Sequence, residues 1–117
     1  EILGAAIEVH RILGPGLLES LYEEALAIEL QDRKLVVARQ LTLPIGYKGR
    51  PLDNPLRLDM LVNNMIVVEV KSVERLLPVH EAQLLSYLRL SQKKLGLLIN
   101  FNSTVLIRSV RRIVNHL

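Results

Sequence analysis

The residues with the most chemical potential in this chain are the triplet Glu69-Val70-Lys71. A glutamate and a lysine at i and i+2 of an extended segment project from one face. The segment around them is otherwise apolar, with Ile66, Val67, Val68 and Val70. A carboxylate and an ammonium set against a core are costly unless a partner charge or a metal ion compensates. Asp59, on the preceding apolar segment, has the same problem. Two converging carboxylates suit a hard cation such as Mg²⁺ or Mn²⁺, which prefers oxygen ligands and keeps waters that a substrate phosphate can displace. The carbonyl oxygen of Val70, lying between the two charged side chains, is a further candidate ligand. Lys71 would then hold or acidify a nucleophilic water, or neutralise charge growing on the phosphate, while the cation polarises the scissile group.

Whether Asp59 and Glu69 can meet is decided by the register of the hairpin that joins them. Strands over about Leu56 to Val62 and Met65 to Ser72 flank Asn63-Asn64, two residues that tolerate left-handed backbone angles. A two-residue turn would set Asp59 opposite Val68 and leave Glu69 on the wrong face. A three-residue loop brings the carboxylates to one side. If the loop is Val62-Asn63-Asn64, Glu69 is the diagonal neighbour of Asp59; if it is Asn63-Asn64-Met65, the two pair directly. An odd-length loop is therefore expected.

The remaining elements must position this hairpin. Ile2, Leu3, Ala6, Ile7, His10 and Leu13 recur at helical spacing until Gly14-Pro15-Gly16 turns the chain. A second helix is expected from Leu17 to about Arg33. β-branched content and alternation then indicate a strand from Leu35 to about Tyr47, placed at an edge or interrupted by Pro44, with turns at Lys48-Gly49-Arg50-Pro51 and Asp53-Asn54-Pro55. Pro78 opens a helix running to about Ser91, and a buried strand follows from Leu95 to Phe101. Residues Leu106 to His116 read as a strand end followed by a short helix. The order is helices, three strands, helix, strand and a terminal element: an α/β (α+β) fold with a mixed sheet flanked by helices.

The 117 residues, half of them apolar, suffice for one core and hence a single domain over residues 1–117. The absence of cysteine removes disulfides, thiolate zinc sites and cysteine nucleophiles, and fits a cytoplasmic setting. Charged residues or Gly/Pro turns interrupt every apolar run, so no membrane span is expected. The chain opens at Glu1 already in helical pattern, so the natural protein is expected to begin earlier. A net charge of +3 permits a polyanionic partner. Lys48, Arg50, Lys93 and Lys94 are candidate contacts to a nucleic-acid backbone, and Arg108, Arg111 and Arg112 add positive charge near the end. With Tyr22, Tyr47, Tyr87 and Phe101 the only aromatic residues, base stacking is a poor main binding mode. No His cluster has metal spacing, and His10 and His80 read as packing or surface residues.

With these residues in place, the sequence resembles the PD-(D/E)XK nuclease superfamily, whose restriction-endonuclease-like core is helix, three-stranded meander, helix, strand, with Asp on the second strand and ExK on the third. Asp59, Glu69 and Lys71 match those positions, although Leu58 stands where the superfamily name places proline. Gln83-Leu84-Leu85-Ser86-Tyr87 looks like the QxxxY element of the RecB-like branch, and Gly16-Leu17-Leu18-Glu19-Ser20-Leu21-Tyr22 reads as the signature of the GxxExxY family. The resemblance implies a Mg²⁺- or Mn²⁺-dependent nuclease acting on phosphodiester bonds, with DNA as the expected partner. It also implies that Glu19 approaches the metal and that Gln83 and Tyr87 lie near the site or the nucleic acid. Glu23, one turn beyond Glu19, reads instead as part of an exposed acidic helix face. The competing reading is a non-catalytic nucleic-acid-binding or protein-assembly module on the same fold, and a second copy of the chain is a candidate partner for holding a duplex.

Overall fold

The computed structural model describes residues 1–116. Its elements are α1 (Ile2–Leu13), α2 (Glu19–Asp32), β1 (Val37–Leu43), β2 (Gly46–Tyr47), β3 (Arg50–Pro51), β4 (Leu56–Val62), β5 (Ile66–Lys71), α3 (Pro78–Ser91), β6 (Leu95–Asn100), a 3-10 turn (Leu106–Ser109) and β7 (Val110–Val114). Five strands form one sheet in the order β1-β4-β5-β6-β7, parallel between β5 and β6 and antiparallel elsewhere. The α+β class and mixed sheet expected from the sequence are present. No helix among the described residues is long and apolar enough to cross a membrane.

Two apolar layers hold the sheet. On one face α1 and α2 bring Ile2, Ala6, Val9, Tyr22, Leu26 and Leu30 against Met60, Val62, Val68, Val70, Ile99 and Phe101. On the other, Leu84 and Leu88 of α3 cover Leu56, Leu58, Leu61, Val67 and Leu98. Pro78 sits in the first turn of α3, where its missing N–H costs nothing. His80 does more than pack, because its Nδ1 accepts the N–H of Leu77 at 2.9 Å and so caps that helix. His10 is half-buried, with Nε2 2.6 Å from the carbonyl oxygen of Ser103.

Two expectations are corrected. Residues after Tyr47 do not simply turn: β2 and β3 form a small hairpin across Lys48 and Gly49, both at positive φ as a tight hairpin turn requires. At the end of the chain the order is inverted, with the helical turn first and the strand second. Leu106, Val110, Ile113 and Val114 have helical spacing, but the open edge of β6 offers a ladder of backbone partners, and pairing such as Leu97 with Arg112 prevails.

Leu84 of α3 packs directly against Gly96 of β6. A Cβ there would stand 3.0–3.1 Å from the buried side chain of Leu84. Gly96→Ala is expected to lower stability by about 1–3 kcal/mol through overpacking. This would appear as a lower urea midpoint at an unchanged m-value; an unmoved midpoint would show that α3 can back away freely.

Candidate functional site

The hairpin loop is Asn63-Asn64-Met65, with Val62 paired to Ile66, Leu61 to Val67 and Met60 to Val68. It has the expected odd length, and Asn63 and Asn64 both adopt positive φ. Continued by one step, this register sets Asp59 opposite Glu69. The backbone ladder stops there, however, and the side chains take over. The N–H of Asp59 donates to Glu69 Oε2 at 2.9 Å, and the N–H of Val70 donates to Asp59 Oδ2 at 2.9 Å. Each carboxyl thus satisfies a backbone amide at the point where β4 and β5 part.

The ladder between β1 and β4 lacks a rung at the same level: Arg39 pairs with Met60 and Leu41 with Leu58, but Gln40 and Asp59 do not pair. Gln40 has φ of 49°. On either side of this rung the two strands exchange faces together. Val37, Met60 and Val62 point to the α1/α2 layer, whereas Leu41, Leu43, Leu56 and Leu58 point to the α3 layer. Strict period-2 alternation would have kept Leu58 with Met60. The turn-over lets two consecutive residues reach one acceptor, since Arg39 Nε and Gln40 Nε2 both donate to Glu23, at 3.2 and 2.8 Å.

Glu23 is the residue that sequence reasoning missed. It is 6 % exposed and ion-paired with Arg39 at 3.2 Å, so it belongs to no exposed acidic face. The signal that could have found it is its position between Tyr22 and Leu26, on the apolar side of α2. Glu19 is exposed, and its Oε2 accepts the N–H of Ser72 at 3.2 Å, fastening the start of α2 to the end of β5. Among the described residues no group of three or more His, Cys, Asp or Glu is gathered where it could hold a metal, so Glu19 does not join Asp59 and Glu69 in such a cluster.

Lys71 shares the sheet face of Glu69 and Val67, the face that α3 covers. Its Nζ lies 3.4 Å from Gln83 Oε1, so the structure brings those two residues together, although Gln83 is exposed rather than buried. Tyr87, one turn further along α3, has its phenol pushed up, by burial first and then by the charges of Glu69 and Asp59. Lys48 and Arg50 lie on the β2-β3 hairpin, off the end of the sheet where β4 begins and β5 finishes. Lys93 and Lys94 lie at the opposite end, before β6, and Lys93 Nζ is tied to the carbonyl oxygen of Asn64 at 3.1 Å. The four basic residues therefore do not form one surface with the triad.

The carboxyls are electrostatically strained. Glu69, 4 % exposed, is pushed up to about 8, chiefly by burial and secondly by the neighbouring charge of Asp59. Asp59 is raised as well, by burial above all, with Glu23 and Glu19 adding repulsion while the Val70 amide and Lys71 oppose it. The donor set fits a hard divalent cation. Each carboxyl commits one oxygen to an amide, and a dication would offset the burial and mutual repulsion that resist ionisation of both.

The sequence matches the PD-(D/E)XK nuclease superfamily over residues 1–113, and the chain belongs to that superfamily. The fold agrees with a solved structure, the crystal structure of SSO0001, at a TM-score of 0.63 and 22% identity. That match covers 85% of this chain and 51% of the other, so the chain spans about half the length of that protein. No curated protein matches the sequence. The restriction-endonuclease-like fold expected above is thus the observed one.

The strained carboxyls set a pH dependence of stability. An unfolded glutamate ionises near 4.5, whereas folded Glu69 keeps its proton up to about 8. In a chelator, this contribution is fully present below the lower value and is lost as pH rises through the higher one. The slope between them should approach about 1.4 kcal/mol per pH unit for this one proton. Urea unfolding of the wild type minus Glu69→Gln should show that decline between pH 5 and 8, and a difference flat or rising across the window would contradict it.

Proposed function

We propose that this chain is a divalent-metal-dependent nuclease that hydrolyses phosphodiester bonds, with DNA as its substrate. The observation that carries this reading is the pairing of Asp59 and Glu69 where the β4-β5 ladder stops, with Lys71 on the face of Glu69. Asp59, Glu69 and the Val70 carbonyl would hold Mg²⁺ or Mn²⁺, and Glu19 would support them through the segment it fastens at Ser72. When bound, the cation supplies Lewis-acid polarisation of the scissile phosphate.

The chain's own residues do the rest. Lys71 Nζ places the attacking water and offsets charge as the new P–O bond forms and the old one breaks. Gln83 Oε1 steadies that ammonium without neutralising it. Tyr87, whose phenol is held protonated by burial and by the charges of Glu69 and Asp59, would donate to a substrate oxygen. Lys48 and Arg50, projecting beyond the same end of the sheet, would meet the nucleic-acid backbone. The signatures around Glu19 and Gln83 are consistent with the GxxExxY family and the RecB-like branch.

One observation favours the second reading, a binding or assembly module: no third acidic or histidine side chain completes a cluster with Asp59 and Glu69 among the described residues. Cleavage assays decide between them. Wild type, Lys71→Ala and Asp59→Asn are compared on single- and double-stranded DNA and RNA, with Mn²⁺ or Mg²⁺ and with chelator. The nuclease reading expects metal-dependent cleavage of DNA, reduced about 100-fold or more in both variants. Equal activity in all three proteins would remove the catalytic assignment, and binding without cleavage would support the module.

A further inference from the structure

At the carboxyl end of the parallel pair β5 and β6, beyond Lys71, the loops line an open cleft of about 540 Å³. Its lining is polar, from Arg75, Arg108, Arg111, Asn102, Ser103 and Thr104 among others, and the one acidic residue in it is Glu74. Neither Arg75 nor Arg108 is ion-paired with a carboxylate among the described residues. Arg111 is held: its Nη1 donates to the carbonyl oxygens of Arg108 and Val110 at 3.3 and 3.1 Å, and its Nε lies 4.0 Å from Glu81. Two guanidinium groups with no ion-pairing carboxylate, beside a third fixed by backbone, are the kind of donor set that an anion needs.

The cleft is joined to the triad through backbone that is itself fixed. Asn100, 1 % exposed, accepts the N–H of Val73 and donates to its carbonyl oxygen, at 3.0 and 2.9 Å. Asn102 donates to the same carbonyl at 3.3 Å, and Glu19 holds the N–H of Ser72. Ser72 and Val73, between Lys71 and Arg75, are therefore pinned through their backbone. Four residues span at most about 14 Å along the backbone, a distance that a few nucleotides of one strand can cover.

We propose that this cleft is a phosphate subsite: Arg75 and Arg108 grip a backbone phosphodiester of the nucleic-acid strand a few nucleotides away from the scissile bond. This deepens the nuclease reading and rests on it. It also assigns strand contact to arginines on the β5-α3 and β6-β7 connections rather than to Lys93 and Lys94, which lie at the far end of the sheet.

The test is equilibrium binding of labelled single- and double-stranded DNA 20-mers in chelator, where cleavage does not interfere, at several salt concentrations. Each phosphate that the protein no longer neutralises reduces the slope of log K against log salt by about 0.7 for single strands and about 0.9 for duplex. Arg75→Gln/Arg108→Gln is expected to bind every sequence more weakly, with the slope reduced by about 0.7 for single strands or about 0.9 for duplex, as the loss of one phosphate contact requires. Lys93→Gln/Lys94→Gln keeps the wild-type slope. An unchanged slope in the arginine variant, with wild type still binding and cleaving, overturns the subsite and leaves the nuclease reading intact. Wild type that binds no oligonucleotide removes both. A parallel arm adds inorganic phosphate: if it stabilises wild type but not the arginine variant while oligonucleotide binding is the same in both, the cleft takes a free anion, and the strand proposal falls.

Discussion

The structure turns on the rung that β4 lacks at Asp59. A sheet interior cannot leave backbone amides unpaired without cost, and here Asp59 and Glu69 supply the acceptors that a continuous ladder would have supplied. The carboxyls are thereby fixed in orientation by hydrogen bonds of 2.9 Å, not merely by rotamer preference. The same rung is where β1 and β4 exchange faces, and where Gln40 takes a positive φ that its side chain does not favour. Site and irregularity are one feature: a regular sheet at this level would have satisfied the amides through backbone and left both acids with nothing to do.

Glu23 holds that irregularity in place. Its two oxygens take Gln40 and Arg39 from successive positions of β1, which only the turn-over allows. A buried carboxylate is tolerated because the Arg39 guanidinium lies 3.2 Å away, and removing either partner would strand a charge. Its negative charge also reaches the pair, raising both Asp59 and Glu69. One helix residue thus ties the α2 layer to the shape of the sheet and to the electrostatics of the acids.

Much of this is readable from residues. Alternation gives β4 and β5, Asn63-Asn64 gives the turn, and the need to put two acids on one side gives the loop length. What escapes has a common physical cause, which is that it depends on long-range partners. Glu23 looks like a solvent-facing acid until Arg39 and Gln40 arrive from β1. The face exchange is invisible because Leu56, Leu58, Met60 and Val62 alternate perfectly in sequence. The β7 strand carries helical spacing and becomes a strand because β6 has an edge to pair. Charge alone groups Lys93 and Lys94 with the site, and only the parallel direction of β6 separates them from it.

That parallel pairing also explains why one end of the sheet is chemically richer than the other. The crossover through α3 makes β5 and β6 finish at the same end, so two loops, rather than a single hairpin turn, emerge side by side. Open α/β sheets characteristically bind ligands beyond the carboxyl ends of their strands for this reason. Here those ends contribute Lys71 and Ser72 from one strand and Asn100 and Asn102 from the other, cross-linked through the backbone of Val73. The antiparallel strands β4 and β7 start at that end, which brings in the β2-β3 hairpin on one side and the arginines of the 3-10 turn and β7 on the other. The opposite end is closed by the short Asn63-Asn64-Met65 loop, itself held by Lys93. Topology therefore selects where polar chemistry gathers, and the missing rung selects which two carboxyls stand at its centre.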